Sequence, residues 1–266
     1  MLYIVATPIG NLKDISYRAI ETLKSVDFIA CEDTRHSLKF LSAYEIKKPL
    51  VSYHKFNERE SGENLINLLK DGKEVALISD AGTPLISDPG NVLTKMLKEE
   101  GLEYTVVPGA CAFVPALILS GLDTSRFCFL GFLPEKQSER REFLNKYKNL
   151  DLTLIFYSAP HDIEKTVSYL LEAFGNRRAV AVREITKIFE EAAPFNLQDG
   201  YLGEKRGEFV VVVEGASGES ELNSLSEKEH IDYYIKAGYD KKEALKLTAK
   251  DRGVPKSQLY KYTIND

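Results

Sequence analysis

The chain has 266 residues, 44% of them hydrophobic and 28% charged, which is long enough for two ordinary domains, each with its own core. Its net charge of −5 argues against nucleic-acid binding over the whole surface, and the longest apolar stretch, residues 110–119 with Pro115 inside it, is about half of the roughly 20 residues a membrane helix needs. A soluble, cytoplasmic protein is expected: no basic leader precedes the strand at Leu2, Cys31, Cys111 and Cys128 read as buried thiols without metal spacing, and the four histidines fit no zinc pattern.

In chain order, short apolar runs predict strands over residues 2–6, 28–30, 75–78, 104–107, 127–131, 152–156, 179–182 and 209–213. Three- and four-residue apolar steps predict helices over 15–23, 64–69, 92–99 and 163–174. Strands alternating with helices imply α/β layers. The polar stretch 120–125 suggests a boundary, giving an N-terminal α/β domain over 1–121, a second α/β domain over 122–216, a linker over 217–226 and a basic helical extension over 227–266. From Tyr234 onward eight lysines and arginines face four acids, a net +4, so the residues before it carry −9. Helices over 240–250 and 256–261 flank Gly253-Val254-Pro255; the pattern resembles a small helix-turn-helix and equally suits a solvated helical tail.

The turns carry the chemistry. Residues 6–12 form a tight turn at a strand's carboxyl end, where open α/β sheets place ligands. The spacing is neither G-x-G-x-x-G nor G-x-x-x-x-G-K-[ST], so a nicotinamide cofactor and a P-loop nucleotide are disfavoured. Residues 31–36 crowd Glu32, Asp33, Thr34, Arg35 and His36 at the next strand end. Either carboxylate could orient or deprotonate an attacking hydroxyl while Arg35 and His36 hold phosphate; a helix N-cap with a local ion pair explains the same residues. The run 79–90, Ser-Asp-Ala-Gly-Thr-Pro-Leu-Ile-Ser-Asp-Pro-Gly, is the most informative. Gly82 leaves room for close approach, Asp80 and Thr83 offer polar groups, and Asp88 before Pro89 suits a helix N-cap. Small residues at 107–112 and the turn at 157–161 add walls from two further strand ends. Lys55, Arg59, Arg140, Arg141, Arg183 and Lys187 could together contact an anionic polymer, though each alone reads as a surface charge.

Taken together, Thr7 to Leu12, Glu32 to His36, Ser79 to Gly90, Pro108-Gly109, Gly131 to Pro134, Arg183 to Lys187 and Gly207 to Val210 resemble the rRNA-methylating branch of the tetrapyrrole methylase superfamily. The resemblance runs in order over residues 2–216, and 241–246 with 254–256 look like that branch's basic C-terminal extension. It implies two α/β domains with a cofactor cleft between them, S-adenosylmethionine in that cleft, and a homodimer with no membrane partner. It further implies methyl transfer to a cytidine 2'-hydroxyl in the decoding region of 16S rRNA, as free RNA or small subunit. By position the cofactor would be lined by Ile9, Gly10, Asp80, Gly82, Thr83, Ile86, Gly109, Ala110, Tyr157 and Ser158. Glu32 or Asp33 is the expected base, Arg35, His36, Arg183 and Lys187 the expected RNA contacts, and no metal is called for. Three stretches depart from the family pattern: Ala6 stands for a usual proline, Ser158-Ala159-Pro160 for a usual Glu-Ser-Pro, and residues 190–197 stray from the usual sequence. A methylase of a small tetrapyrrole on the same fold, and a non-catalytic RNA-binding module, are the competing readings.

Overall fold

The computed structural model describes residues 1–54, 57–216, 222 and 225–262. Lys55 and most of the expected linker lie outside the described residues. In the first half, apolar runs pair as an all-parallel sheet: β1 (Leu2–Val5), β2 (Phe28–Cys31), β3 (Leu50–Ser52), β4 (Val75–Leu77) and β5 (Tyr104–Val107), in spatial order β3-β2-β4-β1-β5. Helices cover both faces, which is why these strands are apolar without alternation. α1 (Tyr17–Ser25) and α2 (Thr34–Ala43) bury Leu23 and Leu41 against Ile29 and Ala76. α3 (Glu58–Lys70) and α4 (Asn91–Glu99) bury Leu65 and Leu93 against Ile4 and Leu77 on the other face. All five strands point the same way, so the turns after them gather along one edge.

α5 (Phe113–Ser120) follows β5, but its Ala116 and Leu117 pack on Val180, Val182, Val210 and Val212 of a second sheet. Pro115 sits in its first turn, where a missing N–H costs nothing. The second sheet contains β6 (Phe127–Phe132), β7 (Thr153–Ser158), β8 (Arg178–Arg183), β9 (Glu191–Asn196) and β10 (Phe209–Val213), in order β6-β7-β10-β8-β9. Only β6 and β7 pair in parallel, with a register shift between Phe129 and Gly131. α6 (Gln137–Asn145) and α7 (Ile163–Phe174) cover the face opposite α5 through Leu144, Ile163 and Leu170. The architecture is therefore α/β in two layered units.

Beyond them, α8 (Glu227–Lys236), α9 (Lys241–Asp251) and α10 (Lys256–Leu259) close on a small core of their own, Ile231, Ala244, Leu245, Ala249 and Leu259. A capping box between Ser226 and Glu229 starts α8. Buried His230 accepts from Arg252 Nε at Nδ1 (3.2 Å) and sits 3.1 Å from Asp251 Oδ2 at Nε2, which fixes the neutral ring with its proton on Nε2. Burial holds its pKa below the ordinary histidine value. Cys31 is buried, Cys111 and Cys128 are half-buried, and all three are free thiols.

One local expectation is corrected here. α4 begins at Asn91 with Gly90 as its N-cap at φ 134°, a left-handed-side conformation that suits glycine. Asp88 is not the cap; its carboxyl is released for the cleft.

Candidate active site

Three turns from the first sheet are laced together before any ligand is considered. Thr7 and Gly82 exchange backbone hydrogen bonds (2.8 and 3.1 Å), joining the turns after β1 and β4. Thr83 Oγ1 donates to the Ala110 carbonyl at 2.9 Å, joining the latter to the turn after β5. Gly82 lies at φ 84°, and a Cβ there would stand 3.2 Å from Ile9 Cγ2. Leu85 and Ser87 also take positive φ, 72° and 70°, strain that non-glycine residues bear where the surroundings impose it. A Cβ on Gly131 of β6 would lie 3.1 Å from Ser87 Oγ, so the two units meet closely at this run.

Between them lies a cavity of about 400 Å³, the size of a small-molecule site. Of the ten residues expected to hold a cofactor, Ile9, Asp80, Gly82, Thr83 and Ile86 line it from the first unit and Tyr157 and Ser158 from the second. The other three are placed close by. Gly10 lines an adjoining hollow, Ala110 offers its carbonyl to Thr83, and Gly109 packs so tightly that a Cβ would stand 2.9 Å from that of Ala6. Sequence reasoning missed Ser87, Asp88, Cys111, Ala112, Phe132, Glu208, Phe209 and Val210. Phe132 and 208–210 stood within quoted motifs, but nothing local assigned them a role. Asp88 was hidden behind its apparent capping pattern.

Acids dominate the charge in and beside the cleft, Asp88 and Glu32 half-buried and Asp80 exposed. Burial, and then the neighbouring Asp80, push the Asp88 carboxyl up to about 6 against a hydrogen bond from Ser79. Burial and the charges of Asp88, Asp80 and Glu58 push Glu32 up to about 7. Asp33 goes the other way. It caps α2, accepting from the Arg35 and His36 amides at 2.8 and 3.2 Å, and those bonds hold it below the usual carboxylate range. Of the two candidate bases, Glu32 is thus the one whose affinity for a proton suits neutral pH. Burial raises the Tyr157 phenol, which stays protonated.

A second hollow of about 420 Å³ shares Ile9, Asp80, Ala81 and Glu208 with the cavity and adds His36, Lys39 and Lys187. Lys187 Nζ is held by Glu184 at 2.9 Å and Glu208 at 3.5 Å; burial opposes its charge, but these carboxylates prevail and leave its pKa above the ordinary lysine value. Arg35 is exposed beside His36. Arg183 is placed differently from Arg35 and His36. It is 8% exposed and its guanidinium is bound by Glu191 (2.6 Å, through Nε) and Glu204 (3.2 Å, through Nη2), which ties it into the second unit. A larger open groove of about 910 Å³ between α3 and α4 shares no residue with either hollow; its walls carry Glu58, Glu60, Glu63 and Glu99 against Arg59 and Lys95, a net negative charge.

The model of the tetrapyrrole (corrin/porphyrin) methylases matches residues 1–199. The chain belongs to that family. Among its relatives, ribosomal RNA small subunit methyltransferase I of Bacillus subtilis (strain 168) is 45% identical over 270 residues, covering 98% of this chain and 92% of that one. Its namesake from Pseudomonas aeruginosa is 42% identical, covering 99% and 96%. The solved structures of the methyltransferase CobJ (TM-score 0.62, 18% identity, 81% of this chain and 94% of that one) and of diphthine synthase (0.63, 17%, 80% and 89%) share the fold. As a tetrapyrrole methylase the chain is a methyltransferase whose donor is S-adenosylmethionine. The site fits that donor: the cavity has the needed volume, Gly82, Ala81, Ala112 and Ala159 leave room for a flat base, and Asp80 and Asp88 supply the carboxyls that its cationic and hydroxyl groups would call for. Among the described residues no helix is long and apolar enough to cross a membrane.

Proposed function

We propose that this tetrapyrrole methylase modifies 16S rRNA, transferring a methyl group to a cytidine 2'-hydroxyl in the decoding region, in the cytoplasm and as a homodimer. The observation that carries the reading is the pairing of a donor-sized cavity with a hollow that bears His36 and Lys39 at its rim, the two sharing one wall. Near-full-length identity to relatives named as small-subunit rRNA methyltransferases supports the same substrate. Exposed apolar Ile188, Phe189 and Leu202 (95%, 70% and 90%) beside β8 and β9 support burial against a second copy.

The bound donor supplies an electrophilic methyl on a sulfonium. Transfer of that methyl to the ribose oxygen would leave a neutral thioether and release one proton from the hydroxyl, so the part left to this chain is to seat the ribose in line with the donor and to take that proton. Glu32 lines neither hollow but stands close enough to Asp80 and Asp88, on the wall of the donor cavity, to feel their charges, and with a pKa of about 7 it is the group we assign to accept that proton. Asp33 fixes the start of α2 and so the place of Arg35 and His36. Orientation within such a site is worth on the order of 7–11 kcal/mol of barrier.

The test is incubation with labelled S-adenosylmethionine and, separately, small ribosomal subunits, free 16S rRNA and a tetrapyrrole mixture. Label in RNA as an alkali-resistant 2'-O-methylcytidine is the outcome expected. Label confined to the small molecule, or none, would overturn the reading. Sedimentation of the protein alone checks the dimer.

A further inference from the structure

We propose that the hollow between the β1 turn and α2 is the acceptor site and that it takes one nucleotide drawn out of its RNA strand, with His36 and Lys39 holding the phosphates beside it. The inference rests on the RNA reading above and deepens it.

Three observations carry it. The hollow meets the donor cavity across Ile9, Asp80, Ala81 and Glu208, so a ribose seated in it faces the methyl donor. Its volume, about 420 Å³, suits a single small ligand and excludes a helix; the 2'-hydroxyl is displayed on the outer face of a strand, but a whole ribose enters a recess of this size only when its nucleotide is drawn clear of its stacked neighbours, as in enzymes that act on bases. Its chemistry is also graded. Pro8, Leu12, Phe40 and Ala43 give apolar walls, while His36 and Lys39 stand one turn apart at the rim on α2.

The cations of the hollow are not equivalent. Lys187 is already neutralised by Glu184 and Glu208, and its stem packs where a Cβ on Gly10 would stand 2.7 Å away; it shapes the wall. Lys39 is exposed and makes no ion pair with a described residue, so its ammonium is available to a phosphate. The hollow is braced from outside: the Tyr44 hydroxyl donates to the Leu12 carbonyl, and the Tyr44 ring meets Phe40 edge-on at 5.3 Å. It is thus held open without RNA.

Two full-length variants test this: Lys39→Glu reverses the rim charge, and Ala43→Trp fills the hollow from an exposed position on α2. Both should bind S-adenosylhomocysteine within twofold of wild type by calorimetry, which also reports an intact fold. Lys39→Glu should raise KM for the small subunit at least tenfold, and Ala43→Trp should lower kcat/KM at least a hundredfold. Lys98→Glu, the same charge change on α4, serves as the control. Wild-type kinetics in both variants would overturn the proposal. If wild-type protein left RNA unlabelled, the RNA reading itself would fail, and the hollow would be judged by binding: an oligoribonucleotide with a photoreactive pyrimidine should crosslink within residues 36–43, and crosslinks confined elsewhere would refute it.

Discussion

Glu32 owes its proton affinity to burial and to three other acids, Asp88, Asp80 and Glu58, and both its roles can be measured through pH. As the base it must be ionised, so single-turnover methyl transfer should rise with pH and level off above about 7, and Glu32→Gln should slow transfer roughly 10²-fold or more and flatten that rise. Its folded pKa, about 7, lies above the 4.5 of an ordinary glutamate, so its contribution to stability is complete below about 4.5 and is lost as pH climbs through 7. The melting temperature of Glu32→Gln relative to wild type should therefore grow between pH 5 and 7.5 and then stay constant. A difference independent of pH would mean Glu32 is not held neutral by its surroundings. Residue chemistry of this kind was half legible in the sequence. The crowding of acids and cations at 32–36 was visible, but which acid caps and which stays protonated depends on Asp80 and Asp88, brought near by the parallel pairing of β2 with β4.

At the scale of elements, Asp33 is the N-cap of α2, and capping and catalysis respond differently to the amide. Asn caps as well as Asp but cannot accept a proton from an attacking hydroxyl. Asp33→Asn should keep transfer within a few-fold of wild type while Asp33→Ala loses RNA affinity and exchanges the Arg35 and His36 amides faster; an Asn variant as slow as the Glu32 variant would restore Asp33 as the base. Arg183 is an element-scale residue too, since it ties β8 to Glu191 on β9 and to Glu204. Charged hydrogen bonds of this kind contribute about 1.5–3 kcal/mol, so Arg183→Ala should lower stability by that order in denaturant titration and fray β9, with RNA affinity changed little. The central strands, buried on both faces, were legible as apolar runs, and the edge strands β5 and β6 were legible through their β-branched and aromatic residues although they are partly exposed. β3 was passed over because three residues carry no periodicity. β9 escaped because an edge strand tolerates Glu191 and Pro194, and α6 because Leu144 is its only buried residue.

On the scale of the molecule, the donor cavity joins Ile9 to Val210 across two sheets, and that distance along the chain is why Phe132 and residues 208–210 had no local signature of function. The helical extension stands apart from both hollows. α8, α9 and α10 have their own core and supply no lining residue to either one. Their cations are concentrated from Tyr234 onward, where the chain carries +4, while the acids at the start of α8 and in residues 217–226 bring 217–266 as a whole to zero, so the basic surface belongs to α9, α10 and the end of α8. An acidic body approaching a polyanion needs a cationic hold, and an outlying basic module supplies one without disturbing the donor site. Removing residues 217–266 should accordingly leave the S-adenosylhomocysteine Kd within twofold of wild type. The small-subunit Kd should rise at least tenfold at moderate salt, and the dependence of log K on log salt should become shallower by roughly 0.7–0.9 for each phosphate that is no longer neutralised. Equal subunit affinity with an unchanged salt slope would make the three helices a bystander and leave the rim of α2 to hold the RNA alone.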